Sequence, residues 1–393
     1  MREGEEGMQQ NQLLMIPGPT YVPPRILSAM SAPMINHRGP EFQAMYREVQ
    51  EGLRTVFGAQ GDLVIYPSAG TGGLEAAVAN FFSPGDRVLA VTVGVFGDRF
   101  ATIAERFGLQ VERLTEEWGR AADPDRIARR LAEDRTREIK GILLTHNETS
   151  TGVANPLREI ARVREGHPAL LLVDAVSSLG ALELKAQEWE LDVVAVGSQK
   201  ALMIPPGLAI LALSPRAWQA AEEARLPRFY WDVLAYRKNF EKQSTPYTPA
   251  VPQWYALREA LRMVAEEGLP AVYERHALLG EMTRSGVQAL GLSLLAEAGR
   301  RSDTVTAVRV PPGVAVGRLR QALREDYGVV VAGGQGKLAE EVFRIGHLGC
   351  ISPMDILSTL AALELALSSL GHPVHLGDGV AAAQKVLAGR KAR

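Results

Sequence analysis

A lysine follows a short apolar run near the middle of the chain. Val193 to Val196 are typical of a strand buried on both faces of a parallel sheet, and Ser198-Gln199-Lys200 comes where that strand should end. Ligands of open α/β sheets bind at this edge. Only three lysines occur in residues 1–200, at positions 140, 185 and 200, and Lys200 alone has this placement. A lysine amine in apolar and cationic surroundings loses basicity, so the position predicts a Schiff-base lysine and makes pyridoxal phosphate the candidate cofactor.

A glycine-rich turn before a helical pattern could hold the phosphate of such a cofactor. The run Leu63 to Tyr66 is followed by Pro67-Ser68-Ala69-Gly70-Thr71-Gly72-Gly73. Small residues let backbone N–H groups approach an anion, two hydroxyls add donors, and a helix N-terminus contributes the positive end of its dipole. Mononucleotide sites have similar turns, but this turn lacks the Gly-x-Gly-x-x-Gly pattern of dinucleotide-binding folds.

Three further runs are followed by groups suited to a pyridine ring. Phe96, beside two glycines, follows Val88 to Val93 and could stack on a planar ring, with core packing as the alternative. Asp174 follows Ala169 to Val173, where a carboxylate either caps a helix or pairs with a cation such as a protonated pyridine nitrogen. The polar segment Thr145 to Gly152 also follows a buried run and would be costly there without partners.

These placements require a regular order of strands and helices, and residues 60–213 have it. Apolar runs and helical patterns alternate, which predicts an α/β fold with a mostly parallel, doubly wound sheet of seven strands. The apolar runs are Leu63 to Tyr66, Val88 to Val93, Val111 to Leu114, Gly141 to Leu144, Ala169 to Val173, Val193 to Val196 and Leu208 to Leu213. The helical patterns between them are Gly73 to Phe82, Arg99 to Phe107, Pro124 to Glu133 and Pro156 to Arg164.

The flanking segments predict an arm and a second domain. The proline-rich stretch Met15 to Pro24 should be an ordered, extended segment laid over another part of the chain. Beyond residue 250, helical patterns and short apolar runs predict a smaller α+β domain. We expect an N-terminal arm over residues 1–22, a large domain over 23–250, a small domain over 251–370 and a tail over 371–393.

Two arginines are candidates for binding a substrate carboxylate. Arg344 lies inside the apolar segment Val342 to Cys350, and an unpaired guanidinium there would be costly, so we expect it to face a carboxylate. That carboxylate belongs either to a structural salt bridge or to a substrate. Arg38, in the rigid turn Asn36 to Pro40, is a second arginine expected near the mouth of the site.

Composition narrows the class of protein. With 393 residues, 46% of them hydrophobic, the chain can bury a large core and is long enough for two domains. A formal net charge of -2 gives no argument for nucleic-acid binding. The single cysteine, Cys350, excludes a disulfide framework and a cysteine-based metal site. No stretch resembles a transmembrane span or a signal peptide, so we expect a cytoplasmic protein with no metal and no membrane partner.

Taken together, the motifs resemble those of class V, fold type I pyridoxal-phosphate aminotransferases, in the branch of alanine:glyoxylate, serine:glyoxylate and serine:pyruvate aminotransferases. Similar segments run in matching order from about Pro17 to Leu367. The most specific is Gly197 to Leu202 with Pro205-Pro206-Gly207, supported by Asn147 to Gly152 and Val173 to Gly180. The resemblance implies the fold of type I pyridoxal-phosphate-dependent transferases and a homodimer with active sites at the subunit interface.

The resemblance also implies a role for individual residues. Lys200 would carry the cofactor as a Schiff base and act as the general base, and Asp174 would pair with the pyridine nitrogen. Arg344 would bind the substrate carboxylate, with the backbone of Gly18 beside it. The remaining cofactor contacts would be Ser68, Ala69, Gly70, Thr71 and Gln199 at the phosphate, Phe96 and Val176 on the two ring faces, Thr149 near the ring hydroxyl, and Thr248 from the second subunit.

The implied reaction is a ping-pong transfer of an amino group from alanine or serine to glyoxylate or pyruvate. A small donor is favoured because Arg344 is the one well-placed carboxylate clamp, although Arg38 keeps aspartate open and 2-aminoethylphosphonate is a further alternative donor. A lyase or desulfurase of the same fold would need a cysteine on a mobile glycine-rich loop, whereas Cys350 lies in an apolar segment. The alternative of another class is a catalytically silent structural subunit with the same fold.

Overall fold

Residues 12–391, the part of the chain that the computed structural model describes, form thirteen strands and thirteen α-helices. The strands are β1 (Leu13–Met15), β2 (Val64–Ser68), β3 (Arg87–Thr92), β4 (Gln110–Thr115), β5 (Ile139–Thr145), β6 (Asn147–Glu148), β7 (Val153–Ala154), β8 (Leu170–Asp174), β9 (Val193–Gly197), β10 (Gly207–Leu213), β11 (Val305–Arg309), β12 (Val329–Gly333) and β13 (Val342–Gly346). The helices are α1 (Pro24–Met30), α2 (Pro40–Phe57), α3 (Gly70–Ala79), α4 (Val95–Arg106), α5 (Pro124–Glu133), α6 (Leu157–Val163), α7 (Pro215–Glu223), α8 (Val233–Phe240), α9 (Val251–Glu267), α10 (Leu269–Ala289), α11 (Val316–Tyr327), α12 (Pro353–Ser369) and α13 (Asp378–Lys391).

The larger sheet has seven strands in the order β2-β10-β9-β8-β5-β3-β4. β10 is antiparallel to both of its neighbours, and the other strands run parallel to one another. The prediction of a mostly parallel seven-stranded sheet is therefore confirmed. Because the parallel strands point the same way, the segments that follow β2, β3, β5, β8 and β9 all emerge at one edge.

Strand β9 is buried on both faces, as its uninterrupted apolar sequence predicts. Val194 and Val196 pack into the core on one side of the sheet, whereas Val193 and Ala195 pack into the core on the other. Side chains alternate between the faces of a strand, so each of the two helix layers receives apolar contacts from two of these four residues. The polar residues after Gly197 then mark the end of the strand.

Two helices begin earlier than the sequence pattern predicts. α3 begins at Gly70 instead of Gly73, and α4 begins at Val95 instead of Arg99. Glycine is a poor helix former, so the glycine-rich stretches predict turns. Tertiary contacts override that preference. A Cβ atom at Gly70 would lie 2.7 Å from a methyl carbon of Val176, so close packing there requires glycine.

The smaller sheet joins the first strand of the chain to the last three strands. Its order is β1-β12-β13-β11, with β1 parallel to β12 and β13 antiparallel to both of its neighbours. After Met15 the chain passes to the edge of the larger sheet, where the backbone N–H of Thr20 donates to the carbonyl oxygen of Gln199 at 3.1 Å. The segment thus lies over another part of the chain, as its prolines predict.

The residues predicted as a C-terminal tail include a helix, α13, which packs against α10 and α12. The buried carboxylate of Glu364 binds the start of this helix by accepting hydrogen bonds from the backbone N–H groups of Gly377, Gly379 and Val380 at 2.7, 2.9 and 3.1 Å. Residues 1–11 of the predicted arm and residues 392–393 lie outside the described residues. The domain boundaries at residues 22, 250 and 370 stay predictions.

The described residues 12–391 contain neither a helix suited to crossing a membrane nor a metal-binding cluster of side chains. None of their helices combines the length and the apolar character that crossing a bilayer needs. No group of three or more His, Cys, Asp or Glu side chains in this part of the chain is arranged to hold a metal ion.

Candidate active site

Lys200 lies three residues beyond β9, beside the N-terminal segment. Its Nζ atom donates a hydrogen bond of 2.6 Å to the carbonyl oxygen of Pro17. The pKa of Lys200 is lowered to about 8, chiefly by burial; the negative charge of Asp174 opposes the shift, and the positive charges of Arg344 and Arg99 add to it. About a tenth of this amine is therefore uncharged at pH 7 and about half at pH 8, and the uncharged form is the one that attacks carbonyl carbon and accepts protons.

Asp174 ends β8 and is 4% exposed. Its Oδ1 atom accepts a hydrogen bond from the backbone N–H of Val176 at 3.0 Å. Burial raises the pKa of Asp174 to about 7 and the charge of Glu148 adds to the shift, whereas the Val176 hydrogen bond, Lys200 and Arg99 oppose it. A cation placed beside Asp174 would favour the ionised carboxylate and pair with it.

The first turn of α3 forms an open anion cradle. The residue before the helix is Ala69, whose side chain has no oxygen to cap the first N–H groups. A Cβ atom at Gly197 would lie 3.0 Å from the backbone nitrogen of Gly70 and 2.9 Å from Oε1 of Gln199. That Gln199 oxygen is buried and has no hydrogen-bond partner among the described residues. Ser68 ends β2 and its hydroxyl donates a long hydrogen bond of 3.4 Å to the carbonyl oxygen of Ala69, whereas Thr71 is an exposed residue in the first turn of α3.

Phe96 lies in the first turn of α4, which has a cap from another part of the chain. Glu148, fully buried at the end of β6, accepts hydrogen bonds from the backbone N–H groups of Phe96 and Gly97, each at 3.0 Å. The guanidinium carbon of Arg99 lies 4.8 Å from the centroid of the Phe96 ring, so one ring face carries a cation. Sequence reasoning placed Phe96 but assigned no role to Glu148 or Arg99.

Arg344 is 6% exposed and contacts carbonyl oxygens instead of a carboxylate. Its Nε atom donates to Gly333 at 2.8 Å and its Nη1 atom donates to Thr149 at 3.0 Å. No carboxylate within residues 12–391 lies at ion-pair distance from it, so of the two alternatives the structural salt bridge is not observed in this part of the chain. Burial lowers the pKa of Arg344 to about 10, while the charge of Glu148 opposes that shift. The positive charge remains available to a ligand carboxylate.

Three other residues named from the sequence have different placements. Gly18 touches Lys200, because a Cβ atom at Gly18 would lie 2.6 Å from Nζ. Arg38 is bound by its own chain, since its Nη1 atom donates to Oγ of Ser244 at 2.8 Å and to the carbonyl oxygen of Thr245 at 2.6 Å. Its expected place near the mouth of the site stays a prediction. Thr248 is exposed.

Comparison with known protein families identifies the chain. The model of the family described as aminotransferase class-V matches residues 15–345, most of the chain. The chain belongs to the class V aminotransferases. It is a transaminase that depends on pyridoxal phosphate, and the predicted family and cofactor are confirmed.

Several relatives of this aminotransferase match over nearly their whole length. The soluble hydrogenase 42 kDa subunit of Anabaena cylindrica is 44% identical over 96% of this chain and 99% of its own. L-Aspartate–glyoxylate aminotransferase of Paracoccus denitrificans is 40% identical over 96% of both chains. Serine–glyoxylate aminotransferase of Methylorubrum extorquens is 40% identical over 95% of both chains.

Among solved structures, the alanine–glyoxylate aminotransferase of Nostoc superposes with a TM-score of 0.87. The two proteins are 32% identical, and the match covers 93% of this aminotransferase and 98% of the Nostoc chain. The prediction of fold type I is confirmed by this likeness and by the sheet described above.

The residues at the carboxyl edge fit pyridoxal phosphate. The uncapped first turn of α3 suits a phosphate, the Gln199 side chain beside it carries an N–H₂ group that can donate, and glycine at positions 70 and 197 leaves the close approach open. Asp174 is a buried carboxyl group to which no cationic side chain of residues 12–391 is hydrogen-bonded, which suits a ring nitrogen. Lys200 supplies an amine with a lowered pKa. The aminotransferase therefore presents each chemical group that the cofactor requires.

Proposed function

We propose that this aminotransferase moves an amino group from a small amino acid, alanine or serine, to glyoxylate or pyruvate by a ping-pong reaction. The observation that carries the proposal is Arg344, a buried guanidinium without a carboxylate partner in the described residues, whose charge reaches Lys200. One such clamp suits a donor with one carboxylate. The names of the serine–glyoxylate and alanine–glyoxylate relatives support the same choice of substrates.

Lys200 is proposed as the residue that moves the proton. When bound, pyridoxal phosphate supplies a ring that accepts the electrons left behind as the α-hydrogen of an amino acid departs as a proton. The uncharged Nζ atom of Lys200 accepts that proton, and its pKa of about 8 lets the same atom release it again. The carbonyl oxygen of Pro17 orients the amine through its 2.6 Å hydrogen bond. Asp174 would hold a proton on the ring nitrogen by pairing with it.

The remaining predicted residues are proposed to bind and orient. Ser68, Ala69, Gly70, Thr71 and Gln199 would bind the phosphate, Phe96 and Val176 would enclose the ring, and Thr149 would lie near the ring hydroxyl. Arg344 would bind the substrate carboxylate, with the backbone of Gly18 beside it. The contact of Arg344 with the Thr149 carbonyl supports a common site, because it joins the clamp to the cofactor side.

A homodimer is proposed to complete the site, with Thr248 reaching the cofactor of the second subunit. Thr248 is exposed. Phe229, earlier in the chain, is 76% exposed. An exposed aromatic cluster supports an interface, because such patches usually contact another protein. Phe229 and Tyr247 have ring centroids 5.5 Å apart, and Tyr230 stacks on Tyr247. The cytoplasmic location expected from the sequence stays a prediction.

Aspartate is the alternative donor that a relative supports, since the Paracoccus denitrificans protein is an aspartate–glyoxylate aminotransferase. A second carboxylate would need a second cation, and Arg38 is exposed, with hydrogen bonds that lead to Ser244 and Thr245 and not to Lys200 or Asp174. A donor with a phosphonate group, 2-aminoethylphosphonate, remains the other alternative from the sequence. Small donors with one carboxylate, alanine and serine, are therefore preferred over these alternatives.

The experiment is a spectral titration of the purified holoenzyme. L-Alanine, L-serine and L-aspartate are added separately, and the absorption band of the lysine-bound cofactor is followed. The proposal expects alanine or serine to bleach the band, and glyoxylate or pyruvate to restore it. Bleaching by aspartate alone would replace the proposed donor. A band that no amino acid changes would favour the alternative of a catalytically silent structural subunit. The name of the Anabaena cylindrica relative, a soluble hydrogenase subunit, is compatible with that alternative.

A further inference from the structure

Glu148 is a carboxylate whose hydrogen bonds all lead to the start of α4 and to Ser150. Its Oε2 atom accepts from the N–H groups of Phe96 and Gly97, each at 3.0 Å. Its Oε1 atom accepts from the backbone N–H of Ser150 at 3.1 Å and from the Ser150 hydroxyl at 2.5 Å. The Ser150 oxygen in turn accepts from the N–H of Val95 at 3.0 Å. Three consecutive amides of α4 are bound in this way.

The donor set favours the ionised form of Glu148. Backbone N–H groups can only donate, and they occupy both carboxylate oxygens. The Ser150 hydroxyl adds a further donor to Oε1, while its oxygen accepts from the N–H of Val95. Burial raises the pKa of Glu148, and the four donors oppose that shift.

The two helices that start beside the site therefore differ in whether the backbone N–H groups of their first turns are bound by side chains. α3 begins after Ala69, which offers no side-chain acceptor, and its first amides remain open to an anionic ligand. α4 begins after Gly94, and its first amides are bound by Glu148 and Ser150. A Cβ atom at Gly94 would lie 2.4 Å from Oγ of Ser150 and 2.6 Å from Glu148, so this approach requires glycine. The start of α4 is thus closed to phosphate and fixed in place.

Glu148 also connects the two sides of the site. The carbonyl oxygen of the next residue, Thr149, accepts from Nη1 of Arg344 at 3.0 Å. On the other side, the first turn of α4 carries the Phe96 ring, and Arg99 stacks on that ring at 4.8 Å. A shift of the Glu148 carboxylate would move the backbone of Phe96 directly, because Oε2 holds its amide.

We propose that Glu148 is a positioning residue that fixes the first turn of α4 and through it holds Phe96 against the cofactor ring. The inference rests on the proposed function, which places Phe96 on that ring. Glu148 touches neither substrate nor cofactor in this account. Its effect on cofactor binding should therefore pass mainly through Phe96, with a smaller part from the charge that also acts on Asp174 and Arg344.

The test is a double-mutant cycle on cofactor affinity. The cofactor is removed from the full-length protein, and pyridoxal 5'-phosphate is titrated back into the wild type, Glu148→Gln, Phe96→Ala and the double variant. Phe96→Ala should weaken binding by about tenfold to a hundredfold, the factor typical of losing an aromatic stacking partner. Glu148→Gln should weaken it about tenfold, because the amide turns an N–H₂ group toward backbone donors. The double variant should bind within about threefold of Phe96→Ala alone.

Glu364→Gln is the matched control. Glu364 is likewise a buried carboxylate that binds backbone N–H groups at a helix start, but its helix is α13. The control should lower the unfolding temperature while leaving the dissociation constant for pyridoxal phosphate within about twofold of the wild type. An equal loss of affinity in Glu364→Gln would overturn the proposal, since general destabilisation would then explain Glu148→Gln.

Two further results would also overturn it: unchanged affinity in Glu148→Gln, or the same loss in the Phe96→Ala background as in the wild type. Unchanged affinity in Phe96→Ala would remove Phe96 from the ring and the inference with it, while the lysine-bound absorption band in the same titration would still report on the proposed function. Ser150→Ala serves if Glu148→Gln does not fold, because it keeps the Glu148 charge but removes the acceptor of Val95. Its expected loss is about threefold and should also vanish in the Phe96→Ala background.

Discussion

The amine of Lys200 donates a 2.6 Å hydrogen bond to the carbonyl oxygen of Pro17, although the two residues lie 183 positions apart in the chain. The next residue, Gly18, has a φ of +128°, and a Cβ atom there would lie 2.6 Å from the lysine nitrogen. Thr20 adds a hydrogen bond of 2.9 Å from its hydroxyl to the Lys200 carbonyl oxygen. The N-terminal segment therefore sets the position of the amine.

Gly18→Ala should reduce transaminase activity by at least about a hundredfold, because the methyl group displaces the Lys200 amine and a positive φ disfavours alanine. The measurement is kcat/KM with the donor found in the spectral titration. Gly317→Ala is the control, since nothing lies within 4 Å of a Cβ atom there and its φ is not in the left-handed region. Near-normal activity in Gly18→Ala would show that the segment does not set the position of the amine.

Lys200→Ala should abolish transamination while the protein still binds pyridoxal phosphate noncovalently. The amine would be lost, whereas the cradle of α3 and Asp174 would remain. Absorption spectra and single-turnover assays report the two properties separately. Lys185→Ala is the matched control, because Lys185 is a surface residue paired with Glu183 and Glu188. Turnover at the wild-type rate without Lys200 would remove it from the mechanism.

The capture of pyridoxal phosphate by the cofactor-free protein should accelerate with rising pH, with a midpoint near the Lys200 pKa of about 8. Only the uncharged amine reacts. Burial is the main cause of the lowered pKa, and Arg344 contributes in the same direction, so Arg344→Gln should move the midpoint upward. Asp174 opposes the shift, so Asp174→Asn should move it downward. Initial rates measured across the pH range test all three, and a midpoint at the ordinary lysine value would contradict the burial argument.

Arg344→Ala should raise KM for both the amino acid and the oxo acid by on the order of a hundredfold, with a smaller change in kcat. The loss is that of a buried charge-assisted contact with the substrate carboxylate. Arg309→Ala on the neighbouring strand β11 is the control, since Arg309 is exposed and pairs with Glu341. Steady-state kinetics with each substrate in turn give the answer. An unchanged KM would place the clamp elsewhere.

Asp174 should make the cofactor-free protein less stable as the pH rises from about 4 to about 7. Its folded pKa is raised from 3.8 to about 7, so in that range the folded state binds a proton that the unfolded state has released. The free energy of unfolding, measured with urea at several pH values, should fall across this window. Asp174→Asn should lack that part of the pH dependence. Identical profiles for the two proteins would mean that the folded carboxyl group titrates normally.

The sequence alone determined the architecture of the larger sheet and the positions of Lys200 and Asp174. Apolar runs with few polar interruptions specify buried parallel strands, and parallel strands place their following residues at one edge. A residue type that is unusual at that edge, such as lysine after Val196, therefore carries chemical information without any knowledge of its neighbours. The segment Thr145 to Gly152 gave a further signal, since polar groups at a buried strand end need partners.

Only the tertiary structure decided which groups are the hydrogen-bond partners of the polar residues at the strand ends. Glu148 binds the start of α4, Arg344 binds the carbonyl of Thr149, and Pro17 binds Lys200, all across long stretches of chain. A hydrophobic pattern tells which face of an element is buried, but the neighbour on that face depends on how whole layers pack. The early start of α4 has the same origin, because its cap comes from β6 and from Ser150 rather than from the residues that precede the helix.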